Sequence, residues 1–425
     1  MPRVYTRSIA ERTNVRTANT SFIGSEGIIQ QVYIYDAVRT PFAKLGGALA
    51  GVRPDDLAAH VITALLERYP NLDQTKIDEV VFGNANGAGE ENRNVARMAT
   101  LLAGLPTSVP GITVNRLCAS SLDAAIHASY SIGAGDNDLV LTGGTESMSR
   151  APYVVPKPER AYPAGNSAMV STTLGWRLVN PKMPKEWTVS LGEATEQLVE
   201  KYDVSRERQD EYAVLSHQRA HAAWEAGHYD NLVVPAGDAE RDETIRPDTN
   251  IETLSGLRTV FRKEHGTVTA GNASPMNDGA GVVLLGSESA SDTLGADPLV
   301  RVASRGVAAN EPQFFGEAPI PAANLALERA GITWDQVGAI ELNEAFAAQV
   351  LANLDSWGIA LDDERVNAWG GAIALGHPLG ASGSRVLGTL ARRLKAENRR
   401  WGLAALCVGV GQGVAMVVEN EDATE

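Results

Sequence analysis

The sequence predicts an α/β protein in which one parallel-sheet topology is used twice. Three observations predict it. β-Branched runs alternate with helical patterns from Val32 to about residue 147. The same rhythm returns from Leu299 towards the C-terminus, and between the two series the chain turns rich in proline and charge. Strands alternating with helices in this way build βαβ units whose sheet is covered on both faces.

In the first series, strands are expected at 32–38, 79–83, 112–115 and 138–142, with helices at about 54–68, 92–103 and 119–134. In the second, strands at 299–303, 337–342, 365–368 and 403–408 enclose helices at about 321–330, 346–355 and 382–396. The repeat rests on element order alone, since residue identity between the halves is not evident. Overlaying the series places Cys118 after the third strand of the first and His377 after the third strand of the second. Open parallel sheets bind ligands at the C-terminal ends of their strands, so two such ends facing one another would bring thiol and imidazole together.

The 148–274 stretch is too long for a connection without structure of its own. With helices expected at 193–203 and 206–226, it reads as a subdomain over the cleft. The domains are therefore 29–147 with 275–296, the insertion 148–274, and 297–425. Residues 1–28 carry Arg3, Arg7, Arg12 and Arg16 with little acid and many hydroxyls, which suits an organelle leader, a flexible leader or an upstream start.

A net charge of -15 disfavours nonspecific nucleic-acid binding, which needs a concentrated positive surface. Two distant cysteines and seven scattered histidines fit neither a disulfide framework nor a zinc site, and a reducing, cytoplasmic setting follows. The 401–418 run is apolar enough to span a bilayer, but its four glycines favour a buried strand pair joined near 411–413. No membrane partner is expected.

Four groups then stand out as chemistry. Cys118 precedes Leu122, Ala125, Ile126 and Tyr130 at helical spacing, so a helix N-terminus would stabilise its thiolate. An isolated cysteine is ordinarily a small buried hydrophobe, but Asn115, Arg116, Ser120 and Ser121 are poor company for that role. His377 sits in the glycine-rich run 370–383, followed by Pro378, whereas His60, His127, His217, His221, His228 and His265 read as ordinary polarity. Asn343 and Glu344 end an apolar strand and need a partner, a ligand or a helix to cap. Cys407 ends another apolar run, and Gly409 behind it would expose backbone NH of the kind that forms an oxyanion hole.

Together these residues resemble the thiolases over nearly the whole chain, from Asp36 to Gly413. The motifs are Asn115-Arg116-Leu117-Cys118, the runs 143–149 and 266–274, Asn343-Glu344-Ala345-Phe346, Gly376-His377-Pro378 and Cys407-Val408-Gly409. The resemblance implies two repeated βαβαβαββ halves in a five-layer αβαβα arrangement, with an inserted loop subdomain. It also implies ping-pong acyl transfer with coenzyme A as substrate, no metal or other cofactor, and a homodimer or homotetramer.

In that family's terms Cys118 is the nucleophile, His377 accepts its proton and Cys407 is the acid/base. One oxyanion site is made by His377 with a water held by Asn343, the other by the NH groups of Cys118 and Gly409. Ser274, Phe346, Leu191 and Ala270 would line the coenzyme A site, with Ser255 near the nucleotide. Within the family, 88–98, Gly175-Trp176-Arg177 and 409–413 are most similar to β-ketoadipyl-CoA thiolases of aromatic catabolism, and Arg177 would take a distal carboxylate. Ala119 and Ser121 stand where glycines are usual, Leu191 where methionine is usual, and Ser190 where acetoacetyl-CoA thiolases have histidine. A ketoacyl synthase shares the doubled fold but lacks a second cysteine, and an inactive thiolase-like scaffold would have lost one of the four groups.

Overall fold

The structure, a computed structural model, describes residues 30–424; the leader expected at 1–28 lies outside them. The first half runs β1 (Val32–Arg39), β2 (Ala43–Lys44), α1 (Pro54–Leu66), β3 (Glu79–Gly83), α2 (Val95–Leu102), β4 (Gly111–Val114), α3 (Ser120–Ala134) and β5 (Leu139–Ser147). The insertion holds β6 (Tyr153–Val154), β7 (Val170–Ser171), α4 (Leu191–Tyr202), α5 (Arg206–Glu225) and α6 (Ile251–Ser255). After it come β8 (Asn277–Ser287) and α7 (Ala290–Leu294). The second half runs β9 (Val300–Ala309), α8 (Pro319–Ala330), β10 (Val337–Leu342), α9 (Ala347–Trp357), α10 (Ala372–Leu375), α11 (Ser382–Ala396), β11 (Trp401–Val408) and β12 (Gln412–Glu419).

Strand order makes the duplication explicit. The first half is ordered β4-β3-β5-β8-β1 and the second β10-β11-β12-β9, with β1 pairing β9 over two residue pairs to join them. β4 has no strand counterpart in the second half. The strand expected at 365–368 is reduced to a single parallel bridge between Ile340 and Val366. The reason is local: Asn367 adopts φ 42, and its side chain is spent on the Leu342 backbone, accepting from the NH and donating to the carbonyl.

The layers follow from what each helix touches. α1 and α2 cover the outer face of the first half-sheet, α8 packs on β9 and β12 at the outer face of the second, and α3 and α11 pack on each other between the two. This is the five-layer arrangement, with the apolar core divided into a central cluster and one on each side. The sheets carry more glycine than strand propensity favours, because each marks a close approach. A Cβ at Gly144 would fall on the Gly380 carbonyl, which lets β5 continue to Ser147 rather than end at 142. No strand is expected at 277–287, where Asn, Asp and Gly come first, yet β8 is buried throughout and pairs with β1 and β5.

Gly413 of β12 abuts α8: a Cβ there would fall on the Ala318 carbonyl. Gly413→Val should destabilise by about 1–3 kcal/mol or more through overpacking, read as a lower urea midpoint at unchanged slope. No helix among the described residues is long and apolar enough to cross a membrane. The apolar 401–418 run is the antiparallel pair β11 and β12, whose loop at 409–411 lies two residues earlier than the sequence suggests.

Candidate active site

Cys118 is presented by a strained turn. Asn115 donates from Nδ2 to the Ala85 carbonyl at 2.9 Å and accepts from the Leu117 NH at 2.9 Å, fixing the chain as it leaves β4. Leu117 is held at φ 46, a left-handed conformation that side chains disfavour and that recurs at functional sites. Cys118 follows in the 3-10 turn Leu117–Ala119, and α3 begins only at Ser120. The expected thiolate is not the resting form. Burial pushes the Cys118 thiol up to about 11, Glu146 adds to this, and the backbone NH of Gly409 only partly offsets it.

His377 is fixed from both sides. Its backbone NH donates to Asn277 Oδ1 at 3.0 Å, and its Nδ1 lies 2.6 Å from Ser382 Oγ. Because the Ser382 hydroxyl donates to the Pro378 carbonyl at 3.1 Å, it accepts from Nδ1–H, which leaves Nε2 with the lone pair. Nε2 faces Asn343 Nδ2 at 3.4 Å. Burial, then the charge of Arg385, pulls the imidazole down to about 3. The resting pair is therefore a neutral thiol and a neutral imidazole, whose proton-accepting nitrogen faces the Asn343 amide.

Asn343 and Glu344 do not cap α9, whose first turn has no side-chain cap. Glu344 instead accepts from Tyr212 at 2.9 Å, Ser216 at 2.7 Å, Asn367 at 2.8 Å and the Ile373 NH at 3.0 Å. It thereby ties α5 of the insertion to the second half. Cys407 is fully buried at the end of β11, in a cluster with Phe315, Ala345 and Phe346. Burial raises its thiol well above the ordinary value, and Cys118 adds to the rise. Gly409 follows in the hairpin loop, beside Val410 at φ 64.

Two cavities meet at Cys118. One, of about 450 Å³, is largely apolar and is lined by Leu191, Ser274, Phe346, Trp176 and His377. The other, of about 300 Å³, is lined by Asn86, Glu146, Thr172, Arg177 and Gly409. Both share Leu191 and Leu379. Ser255 and Ala270 line neither cavity and are exposed on the insertion. Ser190, at the first cavity, caps α4 by accepting from the Glu193 NH at 3.2 Å.

A family model of the thiolase N-terminal domain matches residues 32–289, and one of the C-terminal domain matches 296–420. The chain belongs to the thiolase family. It is an acyltransferase with the thiolase fold. The thiolase is 47% identical over 402 residues to the β-ketoadipyl-CoA thiolase of Escherichia coli, covering 92% of this chain and 100% of the relative. It is 48% identical over 400 residues to the β-ketoadipyl-CoA thiolase of Pseudomonas aeruginosa, covering 92% and 99%. Among solved structures, it is similar to the Bacillus anthracis acetyl-CoA acetyltransferase, at TM-score 0.86 and 36% identity over 93% of this chain and 100% of that one. The human mitochondrial 3-ketoacyl-CoA thiolase is similar at TM-score 0.86 and 34% identity, over 92% and 100%.

Several residues of this thiolase site escape the sequence reading. Glu146 is buried at the end of β5 and accepts from the NH groups of two loops, Ala85 at 2.8 Å and Asn86 at 3.1 Å in one and Gly380 at 2.9 Å in the other. Burial pushes its carboxyl up to about 7. It lies in the 143–149 motif, which is the signal that could have found it. Ser382 lies in the run after His377, whereas Asn277 carries no motif signal.

Proposed function

We propose that this thiolase cleaves a dicarboxylic 3-oxoacyl-CoA, 3-oxoadipyl-CoA, with coenzyme A to give succinyl-CoA and acetyl-CoA. The observation that carries the reading is Arg177 in the second cavity. It donates to the Thr172 carbonyl at 3.1 Å and has no carboxylate partner among the described residues, in a cavity that opens on Cys118. A guanidinium with free donors there suits a distal carboxylate. The names of the Escherichia coli and Pseudomonas aeruginosa relatives agree with it.

In this mechanism Cys118 gives its proton to His377 Nε2 as the sulfur attacks C3 of the substrate. The C2–C3 bond breaks, its electron pair stays on C2 of the leaving acetyl-CoA, and Cys407 protonates that carbon. Succinyl remains on Cys118. Cys407 then takes the proton of an incoming coenzyme A thiol, which attacks the acyl thioester, and the released Cys118 thiolate recovers its proton from His377. Burial keeps Cys407 in the thiol form, so a proton is in place for C2 when the C2–C3 bond breaks. The NH groups of Cys118 and Gly409 would hold one oxyanion, and His377 with an Asn343-held water the other.

The apolar cavity with Leu191, Ser274 and Phe346 would take the pantetheine arm. Coenzyme A is thus a substrate, and no further cofactor is needed. Association into a homodimer, or a homotetramer, is supported by β4, an edge strand with Ile112 47% exposed beside Leu102 at 54%. Two free thiols suit a cytoplasmic setting.

Relative thiolysis rates test the substrate. Arg177→Met should lower kcat/KM for 3-oxoadipyl-CoA roughly tenfold to a hundredfold, the worth of one charge-assisted pair, and leave acetoacetyl-CoA within about threefold. A wild-type preference for acetoacetyl-CoA or longer monocarboxylic chains would reject the dicarboxylate reading in favour of an acetyltransferase or a fatty-acyl thiolase.

A further inference from the structure

Asn343 can serve the reaction only if its amide points one way, since its carbonyl oxygen and its NH2 offer opposite chemistry to His377. What sets the direction is on the opposite side of the amide. Arg385, 1% exposed on α11, donates from Nη2 to Asn343 Oδ1 at 3.1 Å. A guanidinium has donors only, so the oxygen must face it and Nδ2 must face His377 Nε2.

We propose that Arg385 is a positioning residue that fixes the Asn343 amide with its NH2 towards His377. The placement of Arg385 is otherwise hard to explain. Its Nε and Nη1 have no hydrogen-bond partner among the described residues, and its carboxylate neighbour Glu341, 3.6 Å away, is held more closely by Arg393 at 2.8 Å. A buried ion pair so loosely made is weak support for stability. Its geometry, by contrast, is coherent. Glu341 and Asn343 alternate onto one face of the chain leaving β10, and Ser382 and Arg385 are three apart on α11. One turn of α11 therefore orients both partners, with Ser382 setting the imidazole and Arg385 the amide.

This rests on the roles proposed for His377 and Asn343, and a double-mutant cycle on the full-length enzyme separates the two. Thiolysis is followed with whichever 3-oxoacyl-CoA the wild type cleaves fastest, and kcat is expressed per Cys118 thiol titrated by stoichiometric acylation. Arg385→Met should lower kcat roughly tenfold to a hundredfold, less than outright loss of an oxyanion donor, with KM for coenzyme A within about twofold. On an Asn343→Ala background the same change should lower kcat by less than about threefold, because coupled sites are not additive. Arg385→Lys, which keeps a donor, should retain most of kcat. Full additivity, or an unchanged kcat in Arg385→Met, overturns the proposal. An Asn343→Ala enzyme with undiminished kcat overturns the role of Asn343 beneath it. Should the methionine variant not fold, Arg385→Leu, which also lacks a donor, goes through the same cycle with the same expectations.

Discussion

Cys118→Ala should abolish acyl-enzyme formation, with kcat down roughly 10⁵-fold, as losses of a catalytic nucleophile generally are. Mass spectrometry after mixing with a labelled 3-oxoacyl-CoA measures it: the wild type gains one acyl group on Cys118, and the variant gains none. The effect is large because nothing nearby can replace the sulfur. Ser120 and Ser121 are fully buried and turned to other work, the first donating to the Leu117 carbonyl and the second accepting from the Ser384 NH. Cys407 is buried in its own apolar cluster and serves the proton transfers proposed above. The cavity itself should survive, since alanine fits the space, and binding of coenzyme A by the variant should stay within about threefold. Acyl labelling at the wild-type level in Cys118→Ala would sink the nucleophile assignment.

Cys407→Ser should separate the two half-reactions. A serine hydroxyl holds its proton far more tightly than any thiol, so it neither protonates the leaving carbon nor activates the incoming thiol well. Turnover should fall about 10³-fold, the range of a lost general acid/base. Acylation of Cys118 should still reach one group per site given time, because the sulfur, His377 and the backbone donors are untouched. Rapid-quench measurement of acyl-enzyme against product distinguishes this from a simple loss of active protein. Equal rates of turnover in Cys407→Ser and wild type would remove Cys407 from the proton path.

The sequence exposes most of this site because the catalytic groups stand at element ends, where glycine and polar residues interrupt apolar runs. Cys118, His377, Asn343 and Cys407 all follow that rule, and the structure gathers their segments at one cleft. What was not legible depends on contacts between distant segments. Burial, which no local pattern reports, raises the Cys118 thiol against the pull that a helix terminus exerts. Asn277 reaches the His377 backbone from β8, a strand whose polar and glycine start hides it from periodicity. Glu146 looks like one more residue of a small-residue run until two loops converge on it. The bridge at Val366 replaces a strand because Asn367 turns its side chain on the backbone of β10, a tertiary bond invisible from 365–368 alone.

The hairpin that carries Cys407 and Gly409 has a loop of only three residues, and Gln412 at its far side accepts from Arg116 at 2.6 Å, two residues before Cys118. The residues proposed as proton donor, oxyanion donor and nucleophile are thus links in one short mechanical chain. A lengthened loop would retune all three at once, so drift in this lineage should favour substitutions inside the hairpin over insertions. Arg177, which we propose reads the distal carboxylate, lies on the insertion and outside that linkage.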